Sequence, residues 1–221
     1  KTMKEHNVLL HHLEPLKGFL REEGVTELCF NRPGEVFIES DRGWSRHESL
    51  DLDMRWATSF TTSLGSYNDR GFGDGKTLLS AQLPDGERVM VVAPPNCESG
   101  TISITIRKPA GKRLTHKELV QRGQYRRVKK TSAELSDMEE RLLALHSAGD
   151  YAGFMELAVK ARLNIIASGA TGSGKTTYAN AIIEFVDPND RIITIEDTRE
   201  ILLPGHPNHV HLLYESDGRA A

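Results

Sequence analysis

Gly169-Ala170-Thr171-Gly172-Ser173-Gly174-Lys175-Thr176 decides the fold of this chain. The octapeptide meets the pattern G-x-x-x-x-G-K-[ST] at each fixed position. An apolar run, Asn164-Ile165-Ile166-Ala167-Ser168, leads in, and a helical pattern from Thr176 to Phe185 leads out. Phosphate oxygens need many short donors that converge without side chains in the way. Glycines at 169, 172 and 174 let the backbone wrap closely and turn its N–H groups inward. A helix N-terminus adds a field that favours anions. The eight residues, with the following Thr177, are therefore expected to hold a nucleoside triphosphate. Lys175 would place a charge at the β- and γ-phosphates, and the Thr176 hydroxyl would hold Mg²⁺.

Working outward, Asp187-Pro188-Asn189-Asp190 is a turn, and Arg191–Glu196 reads as a second strand, parallel to the lead-in run. Strand, loop, helix and strand in this order predict a right-handed βαβ unit. Ligands of parallel α/β sheets bind beyond the carboxyl ends of strands, so Glu196 and Asp197 should lie beside the phosphates. An acidic strand end taken alone is more often a surface turn. Its place some twenty residues after Lys175 favours chemistry: Glu196 is expected to orient the attacking water or hold Mg²⁺.

Upstream, Ser136 and Glu139 form a capping box that opens a helix to Ala148, closed by Gly149, and a further helix spans Tyr151 to Arg162. The amino-terminal half has a different texture. Leucines from Leu9 to Leu20 recur at helical spacing. Two short strands, Glu27–Asn31 and Glu35–Glu39, flank Arg32-Pro33-Gly34, and a helix spans Met54 to Leu64 with Trp56, Ala57, Phe60 and Leu64 inward. Thr77–Leu83 and Glu87–Ala93 flank Pro84-Asp85-Gly86 as a hairpin. Thr101–Arg107 alternates, placing Ile102, Ile104 and Ile106 on one face and Arg107 on the other. The sequence thus divides into an α+β domain (1–108), a basic linker (109–134) with a short helix near Lys117, and a P-loop α/β domain (135–221).

Composition narrows the function classes. Net charge is −3, with 27% charged residues, so no strong nucleic-acid signature is present. Cys29 and Cys97 form no C-x-x-C pair and read as reduced cytosolic thiols. No apolar run approaches the ~18 residues of a membrane span. The start lacks the apolar core of a signal peptide, so a soluble cytoplasmic protein is expected.

At this point the chain resembles a known family. Gly-Ala-Thr-Gly-Ser-Gly-Lys-Thr-Thr followed by Ile-Thr-Ile-Glu-Asp-Thr-Arg-Glu is similar to the secretion ATPase superfamily, in which the second element is called the Asp box. Pro204-Gly-His-Pro-Asn-His-Val-His-Leu-Leu-Tyr214, Leu83-Pro-Asp-Gly-Glu-Arg-Val89 and Ile104-Thr-Ile-Arg-Lys-Pro109 resemble its type IV secretion branch, the VirB-eleven ATPases. Type II secretion and pilus-retraction ATPases share the P-loop and Asp box. The type II enzymes usually carry a four-cysteine zinc site, which two cysteines cannot build.

The resemblance implies a RecA-like nucleotide domain beneath an amino-terminal tier in a homo-hexameric ring, hydrolysing ATP with Mg²⁺ to ADP and phosphate. It further implies a cytoplasmic place at the bacterial inner membrane, alongside other type IV secretion components and a secreted protein or protein–DNA substrate. Two arginines of the amino-terminal domain should reach the terminal phosphate, and the matching positions are Arg88 and Arg107.

The acidic Walker B strand and the His box of the family do not follow Tyr214 here. His206, His209 and His211 lie too early for that box and read as a loop entering an edge strand. The chain is therefore expected to be part of a longer ATPase, with little turnover alone. The competing reading from another class is a nucleotide-binding structural subunit that does not hydrolyse ATP.

Overall fold

The computed structural model describes residues 3–73, 75–109, 114–126, 128 and 134–214. The linker residues Lys112, Arg113, Arg127, Lys129 and Lys130, and the tail after Tyr214, lie outside the described residues. By packing, the chain divides into two compact units. One joins Lys1–Ala110 with Pro188–Ala221, and the other is Gly111–Asp187.

The first unit is built on a six-stranded antiparallel sheet of β1 (Glu27–Phe30), β2 (Glu35–Ser40), β3 (Gly43–Glu48), β4 (Leu78–Gln82), β5 (Arg88–Val92) and β6 (Ser103–Arg107). The spatial order is β3-β2-β1-β6-β5-β4. Alternation sends Leu28, Phe30, Val36, Ile38, Leu79, Val89, Val91, Ile104 and Ile106 into one core. Two helices supply the other half of that core, α1 (Met3–Leu13) through Leu9 and Leu13, and α3 (Met54–Tyr67) through Trp56, Ala57, Phe60 and Leu64. Asp53 caps α3 by accepting from the Trp56 amide at 2.7 Å. Trp56 stacks on Phe60 with ring centres 5.3 Å apart and donates from Nε1 to the His12 carbonyl.

Two features of this unit differ from expectation. The helix running to Leu20 is broken at Pro15, which sits in a 3₁₀ turn (Glu14–Leu16) before α2 (Lys17–Arg21). Proline has no N–H for the helical ladder and its ring crowds the preceding turn. β3 was not foreseen, because Gly-Trp-Ser-Arg-His-Glu carries no apolar alternation; it is a largely exposed edge strand.

The second sheet of this unit is a parallel pair, β7 (Ile192–Glu196) and β8 (His209–Leu213), in the register Thr194↔His211 and Glu196↔Leu213. It is tied to the larger sheet's connection by Leu213, whose amide donates to the Asn96 carbonyl at 2.8 Å. The predicted βαβ pairing is not what forms. Residues 164–168 adopt no strand, Ile166 is 93% exposed, and β7 takes β8 as its partner instead. A parallel strand exists only where a neighbour completes its ladder, and among the described residues none does so for 164–168.

The second unit is helical: α4 (His116–Gln121), α5 (Asp137–Ser147), α6 (Tyr151–Lys160) and α7 (Lys175–Ile182), the last continued by a 3₁₀ turn to Phe185. Complete capping boxes open α4 (Thr115/Glu118) and α5 (Ser136/Glu139). Among its described residues only Leu142 and Ala158 are buried.

Candidate nucleotide site

The loop from Gly169 to Gly174 enters α7 through Gly174, whose φ of +88° is left-handed, as is the +76° of Gly172. A side chain at either position would strain the backbone. At Gly169 the constraint is contact instead: a Cβ there would come within 2.5 Å of Ser173 Oγ. The Ser173 amide donates to the Ala170 carbonyl at 3.2 Å, closing the turn. Lys175 Nζ donates to the Gly169 and Ala170 carbonyls, each at 2.9 Å, so the ammonium is folded back over the loop. Thr176 follows half-buried, and Ala170, Thr171 and Thr177 are exposed. Main-chain amides at a helix start, one ammonium and one hydroxyl form a donor set suited to phosphate and a hard cation.

The other predicted residues, Arg88, Arg107 and Glu196, belong to the first unit. Arg88 and Arg107 are directly opposite each other on β5 and β6, on the sheet face away from the helices, and both are exposed. Like charges placed opposite each other in a sheet weaken it, so the pair is not there for the stability of the ladder. Glu27 of β1 lies opposite Arg107 on its other side. Arg191 spans this patch, with Nη1 3.2 Å from Glu27 Oε1, Nη2 3.1 Å from Thr105 Oγ1, and its guanidinium carbon 6.0 Å from the Trp44 ring centre. Arg191 immediately precedes β7, and Glu196 ends it. At ~3.3 Å per residue the arginine end and the Glu196 end of β7 are about 16 Å apart.

Glu196 is held firmly. Its Oε1 accepts from the Glu200 and Ile201 amides, each at 2.9 Å. Burial alone would push its pKa up, but the polar surroundings, Thr194, these amides and His211, outweigh it and hold the carboxyl below the usual range. Asp197, which the sequence reading places beside Glu196, is exposed, and its side chain accepts from the next amide, that of Thr198. His211 is fully buried, with Nδ1 2.8 Å from Thr194 Oγ1 and 3.5 Å from Glu196 Oε2. Burial, then the nearby Arg199, pushes the His211 pKa down.

Thr194, His211 and Arg191 escaped the sequence reading. The available signal was polar residues at inward-facing positions of otherwise apolar strands, but only the β7–β8 register shows that Thr194 and His211 meet.

Residues 76–218 match the family of Type II/IV secretion system proteins. The chain is 45% identical over 208 residues to the type IV secretion system protein VirB11 of Brucella suis, covering 94% of this chain and 58% of that protein. It is 40% identical over 212 residues to the type IV secretion system protein PtlH of Bordetella pertussis, covering 95% and 62%. The crystal structure of the VirB11 ATPase from the Brucella suis type IV secretion system in complex with sulphate matches with a TM-score of 0.89 at 44% identity, over 94% of this chain and 64% of that one. The chain thus spans less than two thirds of the length of these relatives. No helix among the described residues is long and apolar enough to cross a membrane.

Proposed function

The chain belongs to the family of type II/IV secretion system proteins, on its VirB11 side, and from that premise we propose that it is part of an ATP-hydrolysing motor of a type IV secretion system. The observation that carries this reading is the loop itself, with Gly172 and Gly174 left-handed and Lys175 Nζ held over it at 2.9 Å from two carbonyls. Residues 169–177 bind the triphosphate, with Lys175 turning from the loop carbonyls to the β- and γ-phosphates. Thr176 and Glu196 are the residues that would hold Mg²⁺, which supplies charge neutralisation between phosphate oxygens. Glu196, ionised at neutral pH, orients the attacking water.

Arg88 and Arg107 offset the charge that develops on the γ-phosphate, an effect worth roughly 10³-fold in rate. They act within a homo-hexameric ring. In this reading residues 135–221 contribute to the nucleotide domain, 1–108 form the amino-terminal tier and 109–134 connect them. The ring works at the cytoplasmic face of a bacterial inner membrane with other secretion components, on a secreted protein or protein–DNA substrate.

The test is Mg²⁺-dependent binding of a fluorescent ATP analogue to the chain and to its Lys175→Ala variant, with steady-state turnover of both in the intact protein. Loss of binding or turnover in the variant supports the assignment. Unchanged turnover would overturn it.

A further inference from the structure

Thr194 and His211 face each other across the β7–β8 ladder, and both are buried. The imidazole Nδ1 lies 2.8 Å from the Thr194 hydroxyl and 3.5 Å from Glu196 Oε2. The second distance is longer than an ordinary hydrogen bond. Oε1 of Glu196 is satisfied by two amides, whereas Oε2 and the far imidazole nitrogen, His211 Nε2, are buried and have no hydrogen-bond partner among the described residues.

A buried carboxylate oxygen needs a donor; His211 Nδ1 stands 3.5 Å from Oε2, and Thr194, two residues before Glu196 on β7, lies on the same face of that strand. The tautomer of His211 then decides the outcome. With the proton on Nε2, a donor would be buried without an acceptor, and bare Nδ1 would draw the threonine hydrogen toward itself and away from the carboxylate. With the proton on Nδ1, the imidazole donates to Thr194 Oγ1, the hydroxyl hydrogen is free to point at Oε2, and only a lone pair on Nε2 is left unpaired. An unpaired buried acceptor is tolerated better than an unpaired donor.

We propose that His211 is a positioning residue for Glu196: its Nδ1–H fixes the Thr194 hydroxyl, and the two together fix the orientation of the Glu196 carboxylate. The catalytic consequence rests on the role proposed above for Glu196; the relay itself does not. Partners that orient a ligating or catalytic group through a second layer of hydrogen bonds typically change activity 10–100-fold when removed.

Two measurements test this. The first is the long-range ¹H–¹⁵N spectrum of the histidine rings in the ¹⁵N-labelled chain, with no nucleotide needed. His211 should carry its proton on Nδ1, and Thr194→Val and Glu196→Gln should each shift its ring nitrogens. A proton on Nε2, or a spectrum indifferent to both variants, overturns the relay. The second is turnover in the intact protein. His211→Leu should lower kcat about 10–100-fold with the KM for ATP little changed. His211→Asn, which keeps an N–H at the Nδ1 position, should recover most of the loss. If neither variant changes kcat while Glu196→Gln abolishes turnover, the positioning role is wrong and the role of Glu196 stands. If Glu196→Gln leaves turnover intact, the proposed function of Glu196 fails instead, and the spectrum alone judges the relay.

Discussion

Replacing Arg191 by Met removes a charge from the middle of a partly buried patch and keeps most of the side chain's stem. The guanidinium is 3.2 Å from Glu27 and 3.1 Å from Thr105, and the Arg191 and Glu27 side chains are only 12% and 19% exposed. At this separation the gross attraction is about 5 kcal/mol for an effective dielectric constant near 20, most of it offset by desolvation. Removing one partner is costlier than the net worth of the pair, because Glu27 stays behind charged. Breaking such pairs costs ~3–5 kcal/mol. The low end, about 3 kcal/mol, applies here because Glu27 retains Arg107 opposite it on β6. The chain has two tryptophans, and Trp44 lies beside Arg191. In a Trp56→Phe background, urea unfolding followed by fluorescence therefore reports on this patch. Arg191→Met should lower the unfolding free energy by ~3 kcal/mol, and adding Glu27→Gln should restore about 2 kcal/mol of it as coupling. An unchanged midpoint, or strictly additive effects in the double variant, would refute the view that Arg191 clamps the 188–214 segment onto the sheet.

Further outcomes follow from the same structure. Arg88→Gln removes one of two cations facing each other across β5 and β6. It should raise stability in urea by a few tenths of a kcal/mol, about 0.5, while turnover of the intact protein falls roughly 10³-fold. Lower stability with unchanged turnover would make the arginine structural. Phe60 is fully buried and stacked on Trp56, so Phe60→Ala should cost about 3–5 kcal/mol; a loss under ~1 kcal/mol in urea unfolding would mean that the α3–sheet core is not as described. His12, His209 and His211 all have pKa values held below 6.5, chiefly by burial. As pH falls below that value the unfolded chain takes up these protons before the folded one, so stability should decline from about pH 7 toward pH 5. Glu196 acts in the same sense lower down: the stability it contributes is present above pH 4.5 and is lost as pH falls through its depressed folded value. Urea titrations that show constant or rising stability on acidification would contradict both.

How much of this was legible beforehand depended on the range of the interactions involved. The loop from Gly169 to Gly174 could be read because its requirements are local: left-handed glycines at 172 and 174, no room for a Cβ at 169, and a lysine on the first turn of a helix. The capping box at Ser136, the Pro84-Asp85-Gly86 turn and the alternation through Ile106 were legible for the same reason. Pro15 was visible too, but the leucine period on both sides of it masked the break. A strand is different, because its existence depends on a neighbour brought from elsewhere in the chain. Residues 164–168 have an apolar strand's composition and no ladder, whereas 43–48 have a polar composition and pair along their whole length with β2.

The candidate site shows the same division. Lys175 and Thr176 were read from spacing, and Arg88 and Arg107 were named only through the family resemblance. That the two arginines face each other follows only from the β5–β6 register, and that His211 meets Glu196 through Thr194 follows only from β8 lying parallel to β7. Each long-range pairing joins groups whose proximity is unfavourable or costly on its own, a cation against a cation and an imidazole buried beside a carboxylate. A fold under selection for stability alone would replace them at little loss with apolar or neutral residues. The paired arginines are therefore where stability and turnover should move in opposite directions on substitution, whereas Glu196, which contributes stability above pH 4.5, should lose both together; such opposed effects separate a working site from an ordinary surface.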